Sequence, residues 1–112
     1  MAELSSDIMR GYNDVIVLSV LMEGDSYGYE ISRCINERSS GRYPIKETTL
    51  YSAFTRLERN GYIRSYVGTE SFGRQRTYYS VTEAGRSFFA EKCAEWQLAK
   101  DVIGGFIDKF SV

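Results

Sequence analysis

The sequence predicts a mainly α-helical fold with one small β-hairpin, extended by a long helix at its C-terminal end. Apolar residues recur at helical spacing in three segments: 8–22, 27–38 and 47–61. Two runs rich in β-branched and aromatic residues, 62–67 and 77–81, are joined by a stretch with two glycines. Beyond them, nothing forbids a single helix from Glu83 to Phe110.

The composition limits the classes of function. A chain of 112 residues with 43% hydrophobic content suits one compact domain, small enough for a second subunit to cover part of its surface. No apolar run could cross a bilayer and no signal-like segment is present, so we expect a cytoplasmic protein. Cys34 and Cys93 lack metal-ligand spacing and are expected as two buried or half-buried thiols rather than a disulfide or metal pair. Because histidine is absent, we expect no metal site, no cofactor and no catalytic residue.

The first two helical segments are expected to form the support of the domain. Ile8 to Met22 is apolar on most sides and is predicted as one central packing helix, capped by Ser5, Ser6 or Asp7. Asp25-Ser26 is predicted as a turn and helix cap before the one-sided helix Tyr27 to Arg38. Pro44 then separates this helix from the next one.

The stretch Glu47 to Gly61 is predicted as a helix with two different faces. Its apolar edge holds four residues: Leu50, Ala53, Phe54 and Leu57. The opposite side carries hydroxyl and guanidinium groups: Thr48, Ser52, Thr55, Arg56 and Arg59. Such groups donate hydrogen bonds to phosphate oxygens and to guanine. An ordinary solvated face is the alternative, but a second helix of this kind after a short break is typical of a helix-turn-helix.

The charge distribution favours a polyanionic partner for the middle of the chain. Residues 42–86 contain eight basic and four acidic side chains, a net charge of +4, although the whole chain carries −1. The remaining residues are net acidic. This asymmetry is expected if one face meets phosphates and another does not.

The hairpin loop, Gly68 to Arg76, contains Arg74 and Arg76. A plain surface hairpin is the alternative, but a basic hairpin directly after a candidate recognition helix is the layout of a winged helix. Its arginines could reach the DNA backbone or a narrow minor groove. We therefore predict a winged helix-turn-helix DNA-binding domain over residues 1–81.

Residues 82–112 are predicted to form a dimerisation helix within the same compact unit. Thr82 supplies an N-cap hydroxyl, while Gly104-Gly105 weakens the helix near its end. The main apolar stripe holds Phe89, Cys93, Trp96, Ile103, Ile107 and Phe110. A flanking stripe holds Phe88, Ala99, Val102 and Phe106. A core this small cannot cover so much apolar surface, so self-association is preferred over folding back onto the domain.

Several short motifs, taken in order, resemble the PadR family of bacterial transcriptional regulators, in particular its short members with a single C-terminal helix. The matching pieces are Arg10-Gly11-Tyr12, Gly28-Tyr29-Glu30-Ile31, Thr49-Leu50-Tyr51, Arg56-Leu57-Glu58, Asn60-Gly61, Gly73-Arg74-Gln75-Arg76-Thr77-Tyr78-Tyr79 and Thr82-Glu83-Ala84-Gly85-Arg86. The similarity spans roughly residues 8 to 98, and the order and spacing of the pieces make it specific. Ser52 departs from the proline that the family often has after the tyrosine.

The resemblance implies a homodimeric winged helix-turn-helix repressor that binds double-stranded DNA at a palindromic operator. Glu47 to Asn60 would read the major groove, residues 68–76 would touch the flanking backbone, and the C-terminal helix would dimerise. Tyr51 matches a family tyrosine that is usually close to DNA. The expected DNA-binding residues are Thr48, Thr49, Tyr51, Ser52, Thr55, Arg56, Arg59, Arg74 and Arg76.

Trp96 is the candidate effector-binding residue. In a symmetric dimer, one tryptophan per subunit could form a slot for a small aromatic or phenolic compound, as the resemblance suggests, or it could serve only as interface packing. A second class of function is a winged-helix protein-interaction module without direct DNA readout. An enzyme using Glu30, Glu47, Tyr27 and Tyr51 is the remotest alternative.

Overall fold

The computed structural model of the protein describes residues 3–69 and 75–111. The helices are α1 Ser6–Met9, α2 Asn13–Leu21, α3 Gly28–Arg38, α4 Glu47–Arg59 and α5 Glu83–Ile107, followed by a 3-10 turn, Asp108–Phe110. The strands are β1 Ser26–Tyr27, β2 Ile63–Thr69 and β3 Gln75–Val81. This architecture confirms the predicted fold class, a mainly helical winged helix with a small antiparallel sheet and a long C-terminal helix.

The segment predicted as one central helix is in fact two helices, so that prediction is wrong. The Ser5 hydroxyl caps α1 by accepting from the Ile8 amide at 3.2 Å, as expected, but α1 ends at Met9. The chain then turns through Gly11, a residue with poor helix propensity, before α2 begins at Asn13. Asn13 is buried and its side chain accepts a hydrogen bond from the Tyr43 hydroxyl, a partner thirty residues away. This tertiary contact holds the start of α2.

The core is organised around α2, which is surrounded by the other helices and the sheet. Besides Asn13, four apolar residues of α2 are buried: Val17, Leu18, Val20 and Leu21. They pack in one cluster with the apolar sides of α3 and α4 and with Ile63 and Tyr79 from the sheet. The entire predicted apolar edge of α4 is buried, at 0–2% exposure. The burial of this edge determines which side of α4 faces outward.

The sheet has three antiparallel strands in the order β1-β3-β2. The predicted hairpin is confirmed, with Ile63 facing Val81 and Tyr66 facing Tyr78. The predicted turn and cap at Asp25-Ser26 is wrong, because Ser26 is buried in β1 and pairs with Tyr79. The Ser26 hydroxyl donates to the Glu30 carboxylate instead of capping α3. A strand of two residues leaves no periodic signal in the sequence.

The end of α4 and the start of α5 lie where the local sequence predicts them. Gly61 has φ +78, and the Tyr62 amide donates to the Leu57 carbonyl at 2.9 Å, an αL helix ending. The Thr82 hydroxyl accepts from the Gly85 amide at 3.0 Å, which confirms the predicted cap. A Cβ atom added at Gly85 would collide with the Tyr62 carbonyl, so a glycine allows the start of α5 to lie directly against the chain just before β2.

The long C-terminal helix continues without interruption through Gly104-Gly105 to Ile107. Phe88 stacks on Tyr62 with ring centroids 4.1 Å apart, and Phe88 and Phe89 pack against the core. Farther along, the large apolar side chains of α5 are exposed. Within residues 3–69 and 75–111, no helix is both long enough and apolar enough to span a membrane.

Candidate nucleic-acid interface

The outward side of α4 carries the predicted polar residues. Thr48, Ser52, Thr55 and Arg59 are exposed, and Thr49 is half-buried. The Thr55 hydroxyl donates to the Tyr51 carbonyl at 3.0 Å, so it offers only lone pairs to a partner unless it rotates. The other three exposed side chains offer donors along almost the full length of the helix. This face can present hydrogen-bond donors to a nucleic acid.

Arg56 differs from these residues because it is bound to α2. Its Nε and Nη2 atoms donate to the two carboxylate oxygens of Asp14 at 3.2 and 2.7 Å. The hydrogen bond to Asp14 raises the pKa of Arg56 above its ordinary value. A guanidinium engaged in this bidentate pair cannot make the same contact with a base. The structure therefore places Arg56 on the flank of α4, as a link to α2. Asp14 lies 42 residues earlier, and no sequence pattern points to it.

Tyr51 lies at the side of α4 that faces α3. Its ring meets Phe54 edge to face at 5.2 Å, and its hydroxyl lies over the Cα atom of Gly28. A Cβ atom added at Gly28 would be 3.1 Å from the Cζ atom of Tyr51 and closer still to the hydroxyl. Tyr51 thus depends on a glycine at the first position of α3. The sequence contained Gly28, but its contact with Tyr51 appears only in the fold.

The base of the wing brings Arg76 beside the same region. The Arg76 guanidinium lies 4.4 Å from the centroid of the Tyr27 ring, a cation–π contact. On the neighbouring strand, the Tyr66 hydroxyl donates to Asp25 at 2.6 Å, which raises the pKa of Tyr66. These contacts attach the wing to β1 and to the turn before it. Arg74, the other predicted wing arginine, lies outside the described residues.

The predicted dimer stripe of α5 divides into a packed part and an exposed part. Phe89 is half-buried against the core, whereas Cys93 is exposed. Both Cys93 and the half-buried Cys34 are free thiols, but Cys93 is exposed, so the expectation that both are buried or half-buried is wrong for Cys93. From Trp96 onward the stripe residues are 45–74% exposed: Trp96, Ile103, Ile107 and Phe110. The Trp96 ring meets Tyr12 edge to face at 5.4 Å. Within residues 3–69 and 75–111, the stripe from Trp96 onward is left largely uncovered.

An apolar cleft of about 280 Å³ was not foreseen from the sequence. It lies between α1, α2 and the end of α3, with Leu4, Ile16 and Tyr43 among its lining residues. Leu4 and the nearby Ile8 are more than half exposed. Burial raises the pKa of Tyr43, and its hydroxyl donates to Asn13. The N-terminal segment therefore adds apolar surface to that of α5.

Comparison with known proteins places this geometry in a family. Residues 17–91 match the model of the Transcriptional regulator PadR-like family. A transcriptional regulator from Clostridium thermocellum has a similar structure, with a TM-score of 0.85 and 57% identity over 93% of this chain and 98% of that one. A PadR family transcription regulator from Clostridium difficile has a TM-score of 0.75 and 36% identity over 87% and 99%.

The chain is also 43% identical to an uncharacterized protein from Lysinibacillus sphaericus over 103 residues, 92% of this chain and 94% of that protein. The family match covers more than half of the chain and includes α4, the sheet and the start of α5. The solved relatives share the fold over nearly their whole lengths. The chain therefore belongs to the PadR-like family of transcriptional regulators, and is a DNA-binding regulator rather than an enzyme.

Proposed function

We propose that the protein is a bacterial, cytoplasmic repressor that binds a palindromic operator as a homodimer. The observation that carries this proposal is the orientation of α4. Its apolar edge is buried at 0–2% exposure, while Thr48, Ser52 and Arg59 lie outward beside a basic wing. A helix held in this way can enter the major groove, which is wide enough for an α-helix.

The proposed DNA contacts fall into two groups, those made by the outward face of α4 and those made to the flanking backbone. Thr48, Thr49, Ser52 and Thr55 provide hydroxyls for base edges and phosphates, and Arg59 provides a bidentate donor for guanine. The two arginines of the predicted wing segment, Arg74 and Arg76, bind the flanking backbone, as does Tyr51. Arg56 supports this surface indirectly, because its pair with Asp14 holds α4 against α2.

In the proposed dimer, residues 1–81 bind DNA and residues 82–112 hold the two protomers together. The apolar stripe from Trp96 in α5 to Phe110 in the following turn is 45–74% exposed, and a contiguous exposed apolar patch marks an interaction surface. Packing two such stripes about a twofold axis removes both from solvent. The two α4 helices then face successive major grooves roughly 34 Å apart, which requires an operator with twofold symmetry.

Trp96 is the proposed contact for a small aromatic or phenolic effector. Its ring is 45% exposed and is oriented by Tyr12, so two protomers would bring two Trp96–Tyr12 pairs to the interface. A flat compound between them would change the spacing of the two α4 helices and release the DNA. Titration of aromatic compounds against the fluorescence of the single tryptophan tests this step. Unchanged fluorescence across a broad panel would leave Trp96 with a packing role only.

A gel-shift experiment with the DNA upstream of the protein's own gene tests the proposal as a whole. A retarded band is expected that disappears as salt increases, because several arginines per protomer bind phosphates. Scrambled DNA of the same length and composition is the control. Failure to retard any duplex, with a dimer still present, would favour a winged-helix protein-interaction module.

A further inference from the structure

A pocket of about 290 Å³ lies beside α4, at the place where β1 gives way to α3. Its lining includes Tyr29 from the first turn of α3, Tyr51 from α4, and Arg76 and Thr77 from β3. Its volume is far larger than the roughly 30 Å³ that one water molecule occupies in the liquid. Three segments that are distant in sequence therefore border an open cleft large enough for a polar ligand group.

The lining residues offer hydrogen-bond donors to an anion. Tyr29, Tyr51 and Thr77 contribute hydroxyl groups, and Arg76 contributes a guanidinium. None of the described lining residues carries a carboxylate. Glu30 follows Tyr29 in the chain, and its carboxylate accepts a hydrogen bond from the Ser26 hydroxyl. This set of groups matches a phosphate oxygen, which accepts hydrogen bonds and carries negative charge.

The pocket is already formed in the unliganded chain. The Tyr51 hydroxyl lies over Gly28, where any side chain would displace it. The Arg76 guanidinium is placed by its contact with the Tyr27 ring at 4.4 Å. Because these groups are positioned before binding, little side-chain entropy is lost when a ligand enters.

The position of the pocket indicates which phosphate would enter it. Tyr51 lies one helical turn from Thr48, on the proposed groove-facing helix. In helix-turn-helix proteins the helix before the recognition helix crosses the DNA backbone. We infer that this pocket holds one phosphodiester of the operator backbone in each half-site, bound by Tyr29 and Thr77 together with Tyr51 and Arg76. This inference rests on the proposed DNA-binding function and extends it to Tyr29, Thr77 and the supporting Gly28.

Methylphosphonate scanning tests the inference. A duplex bound by the wild-type dimer, taken from upstream DNA or selected from a random pool, is prepared with one neutral linkage at a time. One linkage per half-site should weaken wild-type binding by about tenfold, the size expected for hydrogen bonds to a charged group. At that linkage, the variant carrying Tyr29→Phe and Thr77→Val should lose much less than tenfold, because its hydroxyls are already missing.

Two further variants sharpen the result. Gly28→Ala should displace the Tyr51 hydroxyl and reduce the sensitivity to the same linkage. Tyr62→Phe is the matched control, since the Tyr62 ring is held by stacking on Phe88 and is not among the pocket groups. It should retain the wild-type response at every linkage. Thermal unfolding of each variant checks that the fold is intact.

The outcomes separate the two proposals. Wild-type protein that binds no duplex would overturn both the proposed function and the phosphate pocket. Wild-type protein that binds DNA, with no linkage whose effect depends on Tyr29, Thr77 or Gly28, would overturn the pocket alone. If the side-chain changes alter the effect of only one linkage in each half-site, the result supports the phosphate pocket.

Discussion

The helices α4 and α5 both carry a regular apolar stripe, but only the stripe of α4 is covered by the chain. In α4 the four apolar residues are 0–2% exposed, packed against α2, α3 and the sheet. In α5 the stripe is packed only near its start, and Trp96, Ile103 and Phe106 are 45–73% exposed. The same apolar periodicity therefore marks a core-facing side in α4 and an exposed side in α5, because the fold packs other elements against the whole stripe of α4 but only against the start of the stripe of α5.

This difference assigns opposite working faces to the two helices. The burial of the apolar edge of α4 leaves its polar side for a partner, which the family identifies as DNA. In α5 the apolar side itself is the surface left open, and a second copy of the chain is the partner we propose. Substitutions in the two helices test whether the apolar stripe of α4 is core and the apolar stripe of α5 is an interface.

Phe54→Ala should have the largest effect, because it opens the covered stripe of α4. Phe54 is 2% exposed and stacks on Tyr79 with ring centroids 4.0 Å apart. We expect the free energy of unfolding to fall by about 3–5 kcal/mol. Urea denaturation followed by circular dichroism at fixed protein concentration measures this loss. A loss under about 1 kcal/mol would mean that the α4 stripe is not core.

Ile103→Glu combined with Phe106→Glu should separate the protomers without unfolding them. Both side chains are more than half exposed in the single chain, so the charges meet water there. Losing two apolar side chains from an interface should weaken association at least about 100-fold, at about 1.5–3 kcal/mol each. Light scattering after size-exclusion chromatography should show half the wild-type mass. Gln97→Glu, on the same helix, is the charge control and should remain dimeric.

Arg59→Ala should change the sequence preference of the outward face of α4. Arg59 is exposed, and we propose that it reads a base, so its loss should cost about 1–3 kcal/mol of discrimination at one position of each half-site. Binding measured against a panel of single-base operator variants provides the test. An equal loss on all sequences would make Arg59 a phosphate ligand instead.

Arg56→Ala should have the smallest effect, and an effect of a different kind. The Arg56–Asp14 pair is partly solvated, with side chains 40% and 30% exposed, so breaking it should cost about 0.5–1 kcal/mol of stability. Affinity should fall equally on all operator variants, because α4 is held less firmly. A double-mutant cycle with Asp14→Ala measures the coupling in both stability and DNA affinity. If the cycle shows no coupling and the variant has an altered base preference, Arg56 contacts bases directly.

Several features of the site were predictable because they depend on neighbours in the chain. The burial of Leu50 and Leu57 follows from helical spacing, and the α5 start follows from Thr82, whose hydroxyl reaches an amide three residues away. The polar face of α4 was found for the same reason. Arg56 was assigned to that face because its partner, Asp14, is 42 residues away and leaves no local trace.

The sequence by itself determined α3, α4, the hairpin and the long apolar helix, because periodicity, caps and turn residues act over a few positions. Only the tertiary structure decided that Arg56 pairs with Asp14, that Ser26-Tyr27 adds a third strand, and that Tyr51 lies over Gly28. Each of these joins two segments that are distant along the chain and are brought together by the packing of the common core. The physical reason is that packing joins residues at distances along the chain that no local pattern encodes.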